Sequence, residues 1–460
     1  MRSAIAPGRW PRWWRSSSAA RSSSSQRPTY LQENVLTELK PLPYSPPPGL
    51  PPLALYVHFP WCVRKCPYCD FNSHTLHGAL PEADYVDALL NDLALQAPAA
   101  QGRALHSIFL GGGTPSLFSP AALGRLLQGV RARLACPEQL EITLEANPGT
   151  IERGRFADYR AAGITRVSLG AQSFDAQQLQ RLGRIHSADD TRRAVGELQA
   201  AGLTNFNLDL MYGLPGQSIA QALADVEQAV QMQPAHLSHY QLTLEPGTIF
   251  AGRPPAGMPD SDLAADMQLA CQQRLAAAQL QQYEVSAYAR DGAHCRHNLN
   301  YWQFGDYLGI GAGAHGKCTR LDDGVLLVER STRPREPRRY LASLTAADVA
   351  AAAAARVETS DAAAPAIGLA RSLVPAAELP FEFLLNALRL NEGFEQRDFE
   401  ARTGLALAVL DGGFALAQQR GLLERRGTRW RASALGFNFL NDLLALLLPP
   451  AGRAAGGAGL

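Results

Sequence analysis

Six short apolar runs, at 53–58, 107–110, 141–145, 166–169, 205–211 and 236–244, each lead into Gly, Asn or Pro. Between them lie amphipathic stretches at 82–97, 120–134, 151–162, 189–201 and 219–232, whose apolar spacing predicts helices. Strands alternating with helices every roughly 25 to 40 residues force parallel βαβ units, because a parallel neighbour needs a crossover long enough to carry a helix. The fold class is therefore α/β. Six units make an incomplete parallel (β/α)6 barrel rather than a closed eight-fold one. In such a barrel the site lies at the C-terminal ends of the strands. That is where this chain places GGGTP (111–115), EANPG (145–149), GAQSF (170–174) and Asp209 followed by GLPG (213–216).

With 460 residues, 46% of them hydrophobic, the chain can bury one large domain of roughly 250 to 350 residues plus smaller modules. A net charge of +1 gives no general pull toward nucleic acid or an anionic membrane. No run reaches the ~18 apolar residues that a membrane span requires. Residues 1–32 hold six arginines, a serine run and no acid. That composition predicts a disordered leader on a cytoplasmic protein, the alternative being a mitochondrial transit peptide. With the proline-rich 41–52 it forms a leader and linker, 1–52. A core at 53–340, an Ala-rich linker at 341–375, a C-terminal module at 376–448 and a tail at 449–460 follow. Within the module, helices at 381–390, 396–403 and 406–420, a hairpin at 422–432 turning at Gly427 and a last apolar helix predict a winged-helix-like α+β unit. Its arginines, among them Arg425, Arg429 and Arg431, read as a solvated wing, and no nucleic-acid partner is expected.

Three of the seven cysteines, Cys62, Cys66 and Cys69, fall within eight residues. Thiolates spaced C-x3-C-x2-C can hold three irons of a 4Fe-4S cluster and leave the fourth iron open to a ligand. A structural zinc would want a fourth ligand, for which only His58 and His74 lie near. Downstream, Gly111, Gly112 and Gly113 are expected to leave backbone amides unshielded for a ligand, with Thr114 adding a hydroxyl. Glu145 and Asp209 end apolar strands, where a carboxylate needs hydrogen-bond donors. Gln172 and Arg184 follow the fourth strand, and Arg184 taken alone reads as a surface cation. His297 lies beside Trp302, Phe304 and Tyr307, an imidazole near aromatic surface that could coordinate iron and stack a porphyrin. Taken alone it is more often a hydrogen-bonded structural residue.

The stretch Cys62-Val-Arg-Lys-Cys66-Pro-Tyr68-Cys69 resembles the signature of the radical S-adenosylmethionine (SAM) superfamily. The resemblance implies SAM on the open iron and one-electron cleavage of SAM. It also implies that Tyr56, the backbone at Tyr68, Gly112, Gly113, Thr114, Glu145, Gln172, Arg184 and Asp209 bind cofactor. Across 53–445 the chain resembles the branch that contains oxygen-independent coproporphyrinogen III oxidase and the heme-chaperone family HemW. The oxidase carries a fourth cysteine where this chain has Phe71. "CDFNSH" at 69–74 and "HNLNYWQFGDYLGIGAGAHG" at 297–316 resemble the chaperones, whose HNxxY motif implies that His297 and Tyr301 bind heme, with His315 a weaker candidate. The implied cofactors are a 4Fe-4S cluster, SAM and heme. The implied function is heme delivery to hemoproteins such as membrane-bound respiratory enzymes, a homodimer being one working form. No catalytic residue is implied. The alternative is the oxidase, which decarboxylates two propionates of coproporphyrinogen III.

Overall fold

A computed structural model describes residues 49–149, 155–345 and 368–448. Most of the leader, the start of the helix expected at 151–162, most of the Ala-rich linker and the tail lie outside the described residues. The six expected strands form as β1 (Leu53–Phe59), β2 (Leu105–Gly112), β3 (Glu141–Ala146), β4 (Arg166–Gln172), β5 (Phe206–Tyr212) and β6 (His236–Gln241). Each pairs parallel with the next.

The crossovers carry α1 (Glu82–Gln96), α2 (Pro120–Arg131), α3 (Phe156–Ala161), α4 (Ala176–Arg181), α5 (Ala188–Ala200) and α6 (Ile219–Gln231). Their starts are written locally. The Ser119 hydroxyl accepts from the Ala122 amide, and Ser187 with Asp190 and Ser218 with Gln221 form reciprocal capping boxes. In α2 the residues Leu123, Leu126, Leu127 and Val130 are buried, a spacing that sets one face of the helix on the sheet. All seven residues of β4 and of β5 are buried, as a sheet packed on both faces requires.

The sheet extends beyond the six units. After α7 (Ile249–Gly252) and α8 (Ser261–Ala277) come β7 (Gln281–Glu284) and β8 (Ala287–Ala289), then α9 (Arg296–Trp302) and β9 (Asp306–Ile310). Next are β10 (His315–Asp322), β11 (Val325–Thr332), α10 (Pro337–Ala342) and β12 (Ala370–Leu373). The described sheet has twelve strands in the order β12-β11-β10-β9-β1-β2-β3-β4-β5-β6-β8-β7. β9 runs parallel to β1 and is a seventh parallel strand. Sequence reading took its residues only as part of a heme-motif block, because a five-residue run between glycines carries little periodicity. Its anchor is electrostatic: Asp306, fully buried, accepts from Arg103 at 2.7 Å and Lys317 at 2.9 Å.

The C-terminal residues form α11 (Leu379–Ala387), β13 (Phe394–Glu395), α12 (Gln396–Thr403), α13 (Asp411–Gln419), β14 (Leu423–Arg426), β15 (Arg429–Ala432), α14 (Ala434–Asn438) and α15 (Leu440–Leu446). The strands make a separate three-stranded sheet in the order β13-β15-β14. A second apolar core around Phe383, Phe394 and Phe399 ties this unit to Phe304 and Val328 of the larger domain. Arg389 donates to Glu284 at 3.2 Å and lies over the Trp302 ring, and Arg330 pairs with Glu382. No helix among the described residues is long and apolar enough to cross a membrane.

Candidate functional site

Past the end of β1 the chain turns into the cysteine loop. Trp61–Cys62 pairs with His74–Thr75 and closes the loop at its base. Inside it the Lys65 ammonium donates to the Phe71 and Ser73 carbonyls at 3.1 and 2.9 Å. Cys62, Cys66 and Cys69 all face one cavity of about 150 Å³ that opens to solvent. Burial pushes the Cys62 thiol up to about 11 and raises that of Cys69. Among the described residues no three His, Cys, Asp or Glu converge to hold a single metal ion. The three thiols border a space lined with other groups, which suits a cluster better than a closed zinc site.

The cavity wall gathers most of the expected residues: Tyr68, Gly112, Gly113, Thr114, Glu145, Gln172, Arg184 and Asp209. The glycine block does not work as anticipated. Its amides are already engaged, Gly112 with Glu145 Oε2 at 3.0 Å, Gly113 with the Phe59 carbonyl at 2.6 Å and Thr114 with the Trp61 carbonyl at 2.8 Å. The glycines are required by space. At Gly112, where φ is +111°, a Cβ would sit 2.5 Å from the His58 ring, and at Gly113 it would sit 2.5 Å from the Trp61 carbonyl.

Arg184 is no free surface cation. It donates to Asn147 Oδ1 at 2.5 Å, to the Gly170 carbonyl at 2.7 Å and toward the Cys66 sulfur at 3.7 Å. Burial and then the nearby Asp209 charge push the Glu145 carboxyl up to about 7. Asp209 accepts from Ser168 Oγ at 3.1 Å and Asn207 Nδ2 at 2.8 Å. Gln172 has φ +67° at a break in the β4–β5 register, and its side chain accepts from the Tyr240 hydroxyl at 2.6 Å. Asn147, Ser168 and Tyr240 also line the wall, and sequence reading did not single them out. The signal for Ser168 and Tyr240 was the polar alternation inside strands, Ser168 two residues after Arg166 and Tyr240 after His236 and Ser238, while Asn147 lay within the strand-end run EANPG.

Tyr56, His297 and Tyr301 are not on this wall. The Tyr56 hydroxyl meets His58 Nδ1 at 2.9 Å. His297, on α9, is 3% exposed. Its Nδ1 meets Ser107 Oγ at 3.0 Å, and its ring stacks on Phe109 with 5.0 Å between centroids. The Tyr301 and Tyr56 rings flank it at 5.2 and 6.4 Å. Burial holds its imidazole down to about 3, and Nε2 meets no protein partner. Ser107 is the third residue of β2 and Gly112 its last, so the His297 imidazole lies toward the opposite end of that strand from the cysteines, with Tyr56 between them. His315 begins β10, and its charge is felt by the His58 imidazole that the Tyr56 hydroxyl meets.

Comparison with known proteins places the arrangement. Heme chaperone HemW of Escherichia coli (strain K12) is 48% identical over 404 residues, covering 87% of this chain and 99% of the relative. The chain belongs to the HemW family. The HemW of Haemophilus influenzae (strain ATCC 51907 / DSM 11121 / KW20 / Rd) is 45% identical over 405 residues, 87% of this chain and 99% of that protein. Two family profiles match within this HemW relative, the radical SAM superfamily at 56–229 and the HemN C-terminal domain at 374–439. The solved structure of coproporphyrinogen III oxidase (HemN) from Escherichia coli shares the fold, with a TM-score of 0.68 at 20% identity over 89% of this chain and 91% of that one. In this HemW-family chain Phe71 lies on the cavity wall beside the three cysteines.

Proposed function

We propose that this protein binds heme and passes it to hemoproteins, and that it carries a 4Fe-4S cluster on Cys62, Cys66 and Cys69 with SAM beside it. The observation that carries the heme reading is His297. Its Nδ1 is held by Ser107, its Nε2 is buried without a partner, and aromatic rings surround it. A neutral imidazole fixed through one nitrogen presents the other as a lone pair, the form that ligates iron. The donor set at the other end fits the cluster and SAM: three thiols, an arginine N–H aimed at one of them, and the polar groups of Glu145, Asn147 and Asp209. When bound, those groups supply one-electron chemistry at the cavity.

Arg184 orients Asn147 and the Gly170 carbonyl, while Glu145 holds the Gly112 amide and so fixes the wall around the cofactors. Membrane-bound respiratory enzymes are the recipients we favour, with the protein cytoplasmic and working as a homodimer. The domain division at 53–340 and 376–448 belongs to the same reading. Anaerobic reconstitution followed by heme titration at the Soret band tests it. Stoichiometric binding that His297→Ala weakens by about tenfold or more is expected. Conversion of coproporphyrinogen III to a decarboxylated product would overturn it in favour of the oxidase.

A further inference from the structure

Arg166, on β4, is fully buried, and none of its three side-chain nitrogens has a hydrogen-bond partner. A guanidinium stripped of water needs its N–H groups satisfied, and leaving them bare is among the costlier things a folded chain can do. The groups that feel its charge come from around the barrel: Glu141 on β3, Asp209 on β5, Tyr283 on β7 and Cys295 before α9. Its side chain therefore lies in the lumen. Its register partner on β3 is Thr143, itself fully buried with an unbonded hydroxyl. His297 is the third residue of this region with an unpartnered polar atom, its Nε2, and its imidazole feels the Arg166 charge.

The nearby carboxylates are already in use. Glu141 accepts from the Arg296 and His297 amides, both at 3.2 Å, and from the Cys295 thiol at 3.7 Å. Asp209 accepts from Ser168 and Asn207. Neither makes a hydrogen bond to Arg166. Water would satisfy the N–H groups but would bring no counter-charge into contact. A planar fork of donors matches a carboxylate in two-point fashion.

We infer that Arg166 receives a carboxylate of a ligand held in the lumen, the group that a heme propionate presents, beside the free nitrogen of His297. This rests on the heme reading above and adds to it a residue that selects the acidic edge of the tetrapyrrole. No sequence signal singled out Arg166, which opens an apolar strand as an ordinary strand-end cation would.

The test uses the full chain with its cluster reconstituted, titrated anaerobically with hemin and with hemin dimethyl ester, whose propionates are masked. Wild type is expected to bind hemin about tenfold tighter than the diester. Arg166→Gln should bring that ratio close to one by weakening hemin alone, with the Soret position unchanged because the iron ligand is untouched. Arg166→Lys keeps the charge without the fork, guards against a folding failure of the glutamine variant, and should give an intermediate ratio. Equal affinities in wild type, or a preference that survives in Arg166→Gln, would overturn the inference and leave Arg166 a hydrated internal cation. If neither compound binds wild type, the heme reading itself fails, an outcome distinct from loss of discrimination.

Discussion

Arg184 and Arg166 lie at the two ends of one barrel and are treated in opposite ways. Arg184, on the cavity wall, donates through both terminal nitrogens, to Asn147, the Gly170 carbonyl and the Cys66 sulfur, and leaves only Nε unpartnered. Arg166, toward the floor and more deeply buried, donates to no protein atom. The cavity wall is a set of groups that hold one another in place before any ligand arrives. Toward the floor, polar atoms are left open at Arg166, Thr143 and His297. Pre-bonded groups position a cofactor that stays, whereas open groups are costly until a ligand satisfies them, as suits a cargo that comes and goes.

The sharpest way to break this comparison is Cys66→Ala. It should abolish the iron–sulfur absorbance after reconstitution while changing heme affinity less than about threefold, since distant sites without shared partners act independently. Parallel loss of heme would show that the two ends form one site. A smaller effect is expected from Gly112→Ala. The φ of +111° and a Cβ 2.5 Å from the His58 ring should cost about 1–3 kcal/mol, seen as a fall of several degrees in Tm. An unchanged Tm would mean that the wall is not held as tightly as its contacts indicate.

An effect of similar size concerns pH. Glu145 titrates near 7 in the folded protein against an ordinary carboxyl value of 4.5. The native state therefore holds the proton more tightly, so this group lowers stability as pH rises from about 4.5 to 7. Denaturant titrations across that window should show wild type losing on the order of 1–3 kcal/mol relative to Glu145→Gln. Parallel stability curves for the two proteins would place Glu145 in a more hydrated setting than the cavity wall provides.

The six strands and five of the six described crossover helices were legible because each is a contiguous stretch whose apolar spacing is set by its own backbone period, whereas the six-residue α4 was not expected. So was the cavity wall, since the loops at strand ends keep their chemistry in short runs such as 62–69 and 111–114. Less legible was the seventh parallel strand, Asp306–Ile310, which is held by Arg103 and Lys317 from distant parts of the chain. The glycine amides misled for a related reason: Glu145, Phe59 and Trp61, which occupy them, are not neighbours in sequence.

The sequence alone determined the elements, their parallel order and the three-thiol loop, all of which depend on interactions between residues close along the chain. Only the tertiary structure decided which polar groups are satisfied. Ser107 meets His297 across 190 residues, and Arg166 meets no one. Hydrogen bonding in a buried lumen depends on which side chains face inward from separate strands, and no local pattern records who stands opposite.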